Sequence, residues 1–62
     1  MKPTVYYRMI KGSLTVGSFP LVEVYSHPRF KDGTPVITSK IIAVVPDTGG
    51  FETINSFYKV KD

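Results

Sequence analysis

Apolar and polar positions alternate along most of this chain, and no stretch of it shows helical spacing. Glycine and proline, five of each, interrupt the alternation at short intervals, and β-branched and aromatic residues fill the segments between them. Runs of this kind, bounded by turn residues, are typical of β-strands. The pattern predicts five strands, at residues 4–11, 14–18, 21–27, 36–45 and 51–60.

Turn signals separate these runs. Gly12-Ser13 can turn or bulge the chain, and Asp32-Gly33 marks a turn within the loop 28–35. The sequence PDTGG at 46–50 is the clearest turn, so residues 41–45 are expected to pair antiparallel with the last run as a hairpin. The change from mixed to fully apolar residues near Lys40 predicts either a bend or a strand buried on both faces.

The chain length limits the fold. Sixty-two residues form one domain, spanning 1–62, and five strands in that length predict an all-β fold. The expected form is a small five-stranded antiparallel barrel or rolled sheet of the SH3-like kind. A chain this short buries only about 60% of its unfolded surface, and without cysteine no disulfide can brace it.

The last run has aromatic residues on both faces, with Phe51 and Phe57 on one and Tyr58 on the other. One small core can rarely use both faces of a strand, so we expect one of them to meet another subunit. A homo-oligomer would also pair the open edges of a small sheet.

The charge is mildly basic, with eight Lys and Arg against five Asp and Glu, for a net charge of +3. Only Arg29 with Lys31 and Lys59 with Lys61 form close pairs, whereas a duplex-DNA binder usually has a dense basic stripe. This balance favours solubility or an anionic ligand. The N-terminal residues contain no apolar signal-peptide core, and the longest apolar run, 41–45, is too short for a membrane helix. We therefore expect a cytoplasmic protein without membrane contact.

Catalytic chemistry has little support in the residue inventory. One histidine and no cysteine cannot form a four-ligand zinc site, and His27 with Glu23 and Asp32 lacks ligand spacing. His27 with Glu23 or Glu52, beside Arg29, would suit ribonuclease chemistry, but no spacing selects these residues. We expect a non-enzymatic protein with no cofactor or metal, in which His27 fixes a loop by hydrogen bonding.

Ligand binding is better supported than catalysis. Aromatic rings can stack on a base, arginine can grip phosphate with two hydrogen bonds, and short hydroxyl and amide groups can read polar edges. The candidate ligand-binding residues are Tyr6, Arg8, His27, Arg29, Lys31, Thr38, Ser39, Asn55 and Tyr58. A simpler interpretation is that the polar residues form cross-strand pairs on the solvent side and that the aromatic residues pack in the core.

A motif runs through the second half of the chain. An H-P-x-F-x-D-G turn leads into a T-S strand, and a hairpin follows that ends in T-x-N-S-x-Y. The motif positions are His27, Pro28, Phe30, Asp32, Gly33, Thr38, Ser39, Thr53, Asn55, Ser56 and Tyr58. This pattern resembles a group of very small proteins encoded by phages and prophages, mostly of unknown function. The resemblance covers about half the chain and implies a mobile-element origin, with no catalytic residues.

Three functional hypotheses follow from the residues and the resemblance. The first is a phage-type counter-defence protein in the host cytoplasm that sequesters an anionic, nucleotide-type ligand in an oligomer. Its aromatic rings would stack on the base, its basic residues would meet phosphate, and Thr38, Ser39 and Asn55 would read the base edges. The second is nucleic-acid binding on the surface of a small barrel, with affinity that falls steeply with salt. The third is an inhibitor that covers a host protein through an exposed strand edge.

Overall fold

The computed structural model describes residues 2–61 and shows a six-stranded sheet. The strands are β1 (Thr4–Lys11), β2 (Leu21–Tyr25), β3 (Thr34–Ile37), β4 (Ile41–Val45), β5 (Gly50–Thr53) and β6 (Phe57–Val60). Their order across the sheet is β3-β2-β1-β6-β5-β4. The described residues include no helix, and therefore none that could cross a membrane. The prediction of an all-β fold is confirmed.

The sheet consists of two antiparallel meanders joined by a parallel seam. Strands β1, β2 and β3 form one meander and β4, β5 and β6 form the other. At the seam, β1 and β6 run parallel, with Val5 beside Tyr58 and Tyr7 beside Val60. The prediction of a wholly antiparallel sheet is therefore wrong at this pair. A tight turn makes successive strands antiparallel, but β1 and β6 lie at opposite ends of the chain and no turn sets their direction.

The strand count differs from the prediction because three of the predicted runs behave differently. Residues 14–18 form no strand, since Gly17 has a φ of 93° and the Gly17 N–H donates to the Ile41 carbonyl across a loop. The run 36–45 is interrupted at residues 38–40, which confirms a bend near Lys40. The run 51–60 is interrupted at residues 54–56. Six strands result in place of five, while the hairpin of β4 and β5 across the 46–49 turn is confirmed.

The sheet must be strongly curved, because its two edge strands are neighbours in sequence. Six flat strands would place β3 and β4 about 24 Å apart, whereas the link of residues 38–40 can span only about 14 Å. Residues 17–20 bridge the resulting gap: the Thr38 N–H donates to the Pro20 carbonyl and the Ile41 N–H to the Ser18 carbonyl, both at 3.0 Å. The sheet is rolled but not closed, so the five-stranded barrel and its SH3-like form are not confirmed.

The core lies inside this roll and is rich in aromatic rings. Its buried residues are Val5, Tyr7, Val22, Val24, Ile41, Phe51 and Tyr58. The rings of Phe51 and Tyr58 stack with centroids 4.5 Å apart, and the ring of Tyr7 meets that of Phe51 edge-on at 5.0 Å. The uninterrupted alternation of 51–60 had placed Phe51 and Tyr58 on opposite faces of one strand. The break at 54–56 shifts the alternation by one position, so both rings enter the same core, while Phe57 on β6 stays exposed on the opposite side. The homo-oligomer remains a prediction.

Candidate ligand-binding cleft

A cleft of about 490 Å³ lies where three connecting segments meet, and this size is typical of small-molecule sites. The segments are the loop 26–33 after β2, the link 38–40 between β3 and β4, and the turn 54–56 between β5 and β6. The cleft brings together six of the nine candidate residues: His27, Arg29, Thr38, Ser39, Asn55 and Tyr58.

Two hydrogen bonds shape the loop 26–33, one within the loop and one to β2. Ser26 adopts a φ of 59°, which side chains rarely tolerate, and its N–H donates to Asp32 Oδ1 at 2.9 Å. Gly33 has a φ of 84°, and its N–H donates to the Val24 carbonyl at 2.8 Å. The predicted Asp32-Gly33 turn is thus confirmed, and it folds the loop back onto β2.

His27 organises the wall formed by this loop. Its Nδ1 accepts a hydrogen bond from the Arg29 N–H at 2.9 Å, and its ring lies 4.7 Å from that of Phe30. Burial, followed by the Arg29 charge, lowers the pKa of His27, so the ring is neutral at pH 7. Because Nδ1 is the acceptor, the proton resides on Nε2, which can donate to a ligand. The prediction that His27 fixes a loop is confirmed.

The turn 54–56 forms the opposite wall and is organised by Thr53. The buried Oγ1 of Thr53 accepts the N–H groups of Asn55 and Ser56, each at 3.2 Å. Asn55 Nδ2 then donates to Ser39 Oγ at 2.7 Å, which joins this turn to the link 38–40. The hydroxyl proton of Ser39 and the Oδ1 of Asn55 are left to meet a ligand.

Two of the six candidate residues are buried where they line the cleft. The Thr38 hydroxyl donates to the Ser39 carbonyl at 2.8 Å. The Tyr58 ring is stacked on Phe51, and its burial raises the pKa of its hydroxyl, against a smaller lowering by the nearby Ser56. Both residues therefore support the wall of the cleft and expose little surface to a ligand. The accessible ring is that of Phe30, which is 43% exposed and belongs to the H-P-x-F motif, although it is not among the nine candidates.

The other three candidates lie elsewhere. Tyr6 and Arg8 are exposed on β1, on the side of the sheet away from the core, and Lys31 is exposed in the loop 26–33 without lining the cleft. Within residues 2–61, Arg29 is the one Lys or Arg that lines the cleft, and no carboxylate lines it. Nor do any three His, Asp or Glu side chains in this part of the chain lie together as metal ligands would. The cleft is therefore electrostatically suited to an anion.

The motif of the second half of the chain coincides with this cleft. Eight of its eleven residues line the cleft. The remaining three, Asp32, Gly33 and Thr53, hold the loop 26–33 and the turn 54–56 by the hydrogen bonds described above. The residues that carry the resemblance therefore build one site, although they are spread over 32 positions of the chain.

Comparisons of the chain with models of protein families, with curated proteins and with solved structures found no match.

Proposed function

We propose that the protein binds an anionic, nucleotide-type ligand in the cleft without changing it chemically. The observation that carries this proposal is the convergence of six candidate residues from three separate segments on one cleft with a single cation and no carboxylate among its described lining residues. Such a site combines stacking surface, positive charge and directional polar groups, which are the features that nucleotide recognition requires.

Each exposed group of the cleft has a distinct role in this proposal. Phe30, packed beside His27, offers a ring on which a base can stack. Arg29 meets phosphate, because its planar guanidinium matches two phosphate oxygens. The Ser39 hydroxyl donates and the Asn55 Oδ1 accepts, so together they read a polar edge of the base.

The walls of the cleft are preorganised for binding. Asp32 and Thr53 hold the two loops through side-chain to backbone hydrogen bonds, and Asn55 joins the turn 54–56 to the link 38–40. A ligand that enters such a site orders few additional groups, so less of its contact energy is lost to conformational entropy.

The resemblance to small phage proteins supports a counter-defence role, in which the ligand is a nucleotide signal sequestered in the host cytoplasm. A homo-oligomer is part of this proposal. Ile37 and Phe30 at the cleft are 68% and 43% exposed, and a second copy that covered them would enclose the ligand. Light scattering should report a dimer or larger ring. A stable, folded 6.9 kDa particle at high dilution would remove the oligomer from the proposal.

Isothermal titration calorimetry against cyclic mononucleotides, cyclic dinucleotides and short oligonucleotides tests the binding function. We expect one of these classes to bind, and Arg29→Ala to weaken its binding about 10- to 100-fold, as expected for loss of a charge-assisted hydrogen bond. Lys31→Ala is the matched control, because Lys31 is a cation of the same loop that does not line the cleft.

Three outcomes would contradict the proposal. The first is the absence of heat with every ligand class from a sample shown to be folded. The second is an equal loss of affinity in Arg29→Ala and Lys31→Ala, which would indicate attraction by net charge alone. The third is chromatographic conversion of the bound ligand to a product, which would replace sequestration with catalysis.

A further inference from the structure

The side of the sheet that faces away from the core carries a second cluster of aromatic and basic side chains. Because Val5, Tyr7, Val24 and Tyr58 point into the core, their neighbours along β1, β2 and β6 point outward. We call this surface the outer face, and it comprises Tyr6, Arg8, Tyr25, Phe57, Lys59 and Lys61.

The strand register places these side chains in contact range. Tyr6 lies opposite Tyr25 on β2 and opposite Lys59 on β6, so three side chains form a row about 10 Å wide across the sheet. The ammonium of Lys61 lies 5.2 Å from the centroid of the Tyr25 ring, and the guanidinium of Arg8 lies 6.0 Å from it. Aromatic rings and cations are therefore interleaved on this surface.

Among residues 2–61 the cations of the outer face form no ion pair, although Glu23 lies opposite Arg8 in the strand register. Within residues 2–61 the only ion pair joins Lys2 to Glu52, and this pair does not involve Arg8, Lys59 or Lys61. No carboxylate of residues 2–61 forms an ion pair with any of the three cations, so each can meet an external anion.

Acidic groups also lie on this side of the sheet, because Glu52, paired with Lys2, lies opposite Phe57 in the strand register. The carboxylate of Glu23 accepts the Tyr25 hydroxyl at 2.9 Å, and Asp32, at the margin beside Tyr25, accepts a backbone N–H of the loop 26–33. Tyr6 and Phe57 are each 41% exposed, and neither belongs to the core cluster. Both rings are thus partly open to solvent among cations, and the ammonium of Lys2 lies 5.3 Å from the centroid of the Phe57 ring.

We propose that the outer face binds single-stranded nucleic acid, with bases stacked on Tyr6 and Phe57 and phosphates held by Arg8, Lys59 and Lys61. Exposed rings between cations suit a single strand, because its unpaired bases offer free π-faces, whereas a duplex presents mainly phosphate. The outer face and the cleft share none of these residues. The two proposals can therefore succeed or fail independently.

Fluorescence anisotropy with a labelled 12-nucleotide oligodeoxythymidylate, measured over a range of NaCl concentrations, tests this proposal. Three phosphate contacts predict saturable binding at 50 mM salt and a slope of log affinity against log salt of about −2. Tyr6→Ala should weaken binding about 5- to 150-fold through loss of one stacked base, whereas Tyr6→Phe should retain the affinity of the wild type. Weaker binding in Arg29→Ala together with unchanged binding in Tyr6→Ala would place the oligonucleotide in the cleft and overturn this proposal.

Lys40→Ala is the control for net charge, because Lys40 is exposed in the link 38–40, outside the outer face. If Arg8→Ala and Lys40→Ala weaken binding equally, net charge alone drives binding and the proposal is wrong. If Tyr6→Ala binds as tightly as the wild type, stacking contributes nothing and the proposal is also wrong. The proposal would also be overturned if inorganic polyphosphate or a 12-base-pair duplex competed as effectively as the unlabelled single strand. The absence of binding at 50 mM salt by a protein whose circular dichroism shows the folded sheet would overturn it as well.

Discussion

Replacement of Thr53 by valine isolates the contribution of one hydroxyl to the cleft. Thr53 is fully buried, and its Oγ1 accepts the N–H groups of Asn55 and Ser56. Valine has nearly the same shape but no acceptor. Asn55 is exposed, so water can replace the lost acceptor for its N–H, whereas Ser56 is buried and its N–H would remain without a partner.

The expected cost is that of one buried donor left unsatisfied, about 1–3 kcal/mol. The hydrogen bond to Ser56 is long, at 3.2 Å, so we expect a loss of about 1.5 kcal/mol in the free energy of unfolding. A domain of 62 residues has a total of only about 3–9 kcal/mol, so the change is a large fraction of the whole. Thr53→Ser is the matched control. It keeps the acceptor and loses a buried methyl group, at about 1 kcal/mol.

Urea unfolding followed by tyrosine fluorescence gives the free energies, and amide hydrogen exchange locates the effect. In Thr53→Val the Ser56 amide should exchange faster by more than the global loss of stability accounts for, whereas in Thr53→Ser it should not. If Thr53→Val unfolds at the wild-type urea concentration and the Ser56 amide keeps its protection, the proposed role of the hydroxyl is refuted.

Three further predictions concern the backbone, the pH and a buried hydroxyl. Gly49 and Gly33 both have a positive φ, of 73° and 84°. A Cβ at Gly49 would lie 3.0 Å from Val60 Cγ2, whereas a Cβ at Gly33 would meet open space. Gly49→Ala should therefore lower the urea midpoint more than Gly33→Ala. Because folding lowers the pKa of His27, protonation of this residue favours the unfolded state. We expect the free energy of unfolding, measured in urea from pH 7.5 to 5, to be highest above pH 6.5 and to decline as the pH falls toward the folded-state pKa. Tyr7→Phe removes the hydroxyl that donates to the Gly49 carbonyl and should cost about 1 kcal/mol in the same assay.

Each of these predictions has a result that contradicts it. Equal urea midpoints for the two glycine variants would mean that Val60 moves aside without cost. A His27→Asn variant should lack the decline below pH 6.5, and an identical pH profile would assign the decline to other groups. Wild-type stability in Tyr7→Phe would mean that water satisfies the Gly49 carbonyl as well as the tyrosine does.

Local residue chemistry was sufficient to predict the secondary structure class and several boundaries. Alternation and β-branched residues predict a strand at 4–11, which matches β1, and the turns at Asp32-Gly33 and 46–49 follow from glycine and proline positions. The residue types of the cleft could also be selected from the sequence, since aromatic, basic and short polar side chains are the groups that bind nucleotides. These features depend on neighbours within a few positions, so a linear pattern contains them.

The grouping of those residues was decided only by the tertiary structure. A hydroxyl at Thr53 organises the turn 54–56, which shifts the strand alternation and brings Phe51 and Tyr58 into one core. The sheet then curves because β1 pairs in parallel with β6 and because the link 38–40 is short. This curvature brings Asn55 to Ser39, whereas Tyr6 lies on the side of the sheet away from the core. Contacts between positions so distant depend on how the whole sheet curves, which no local pattern of residues encodes.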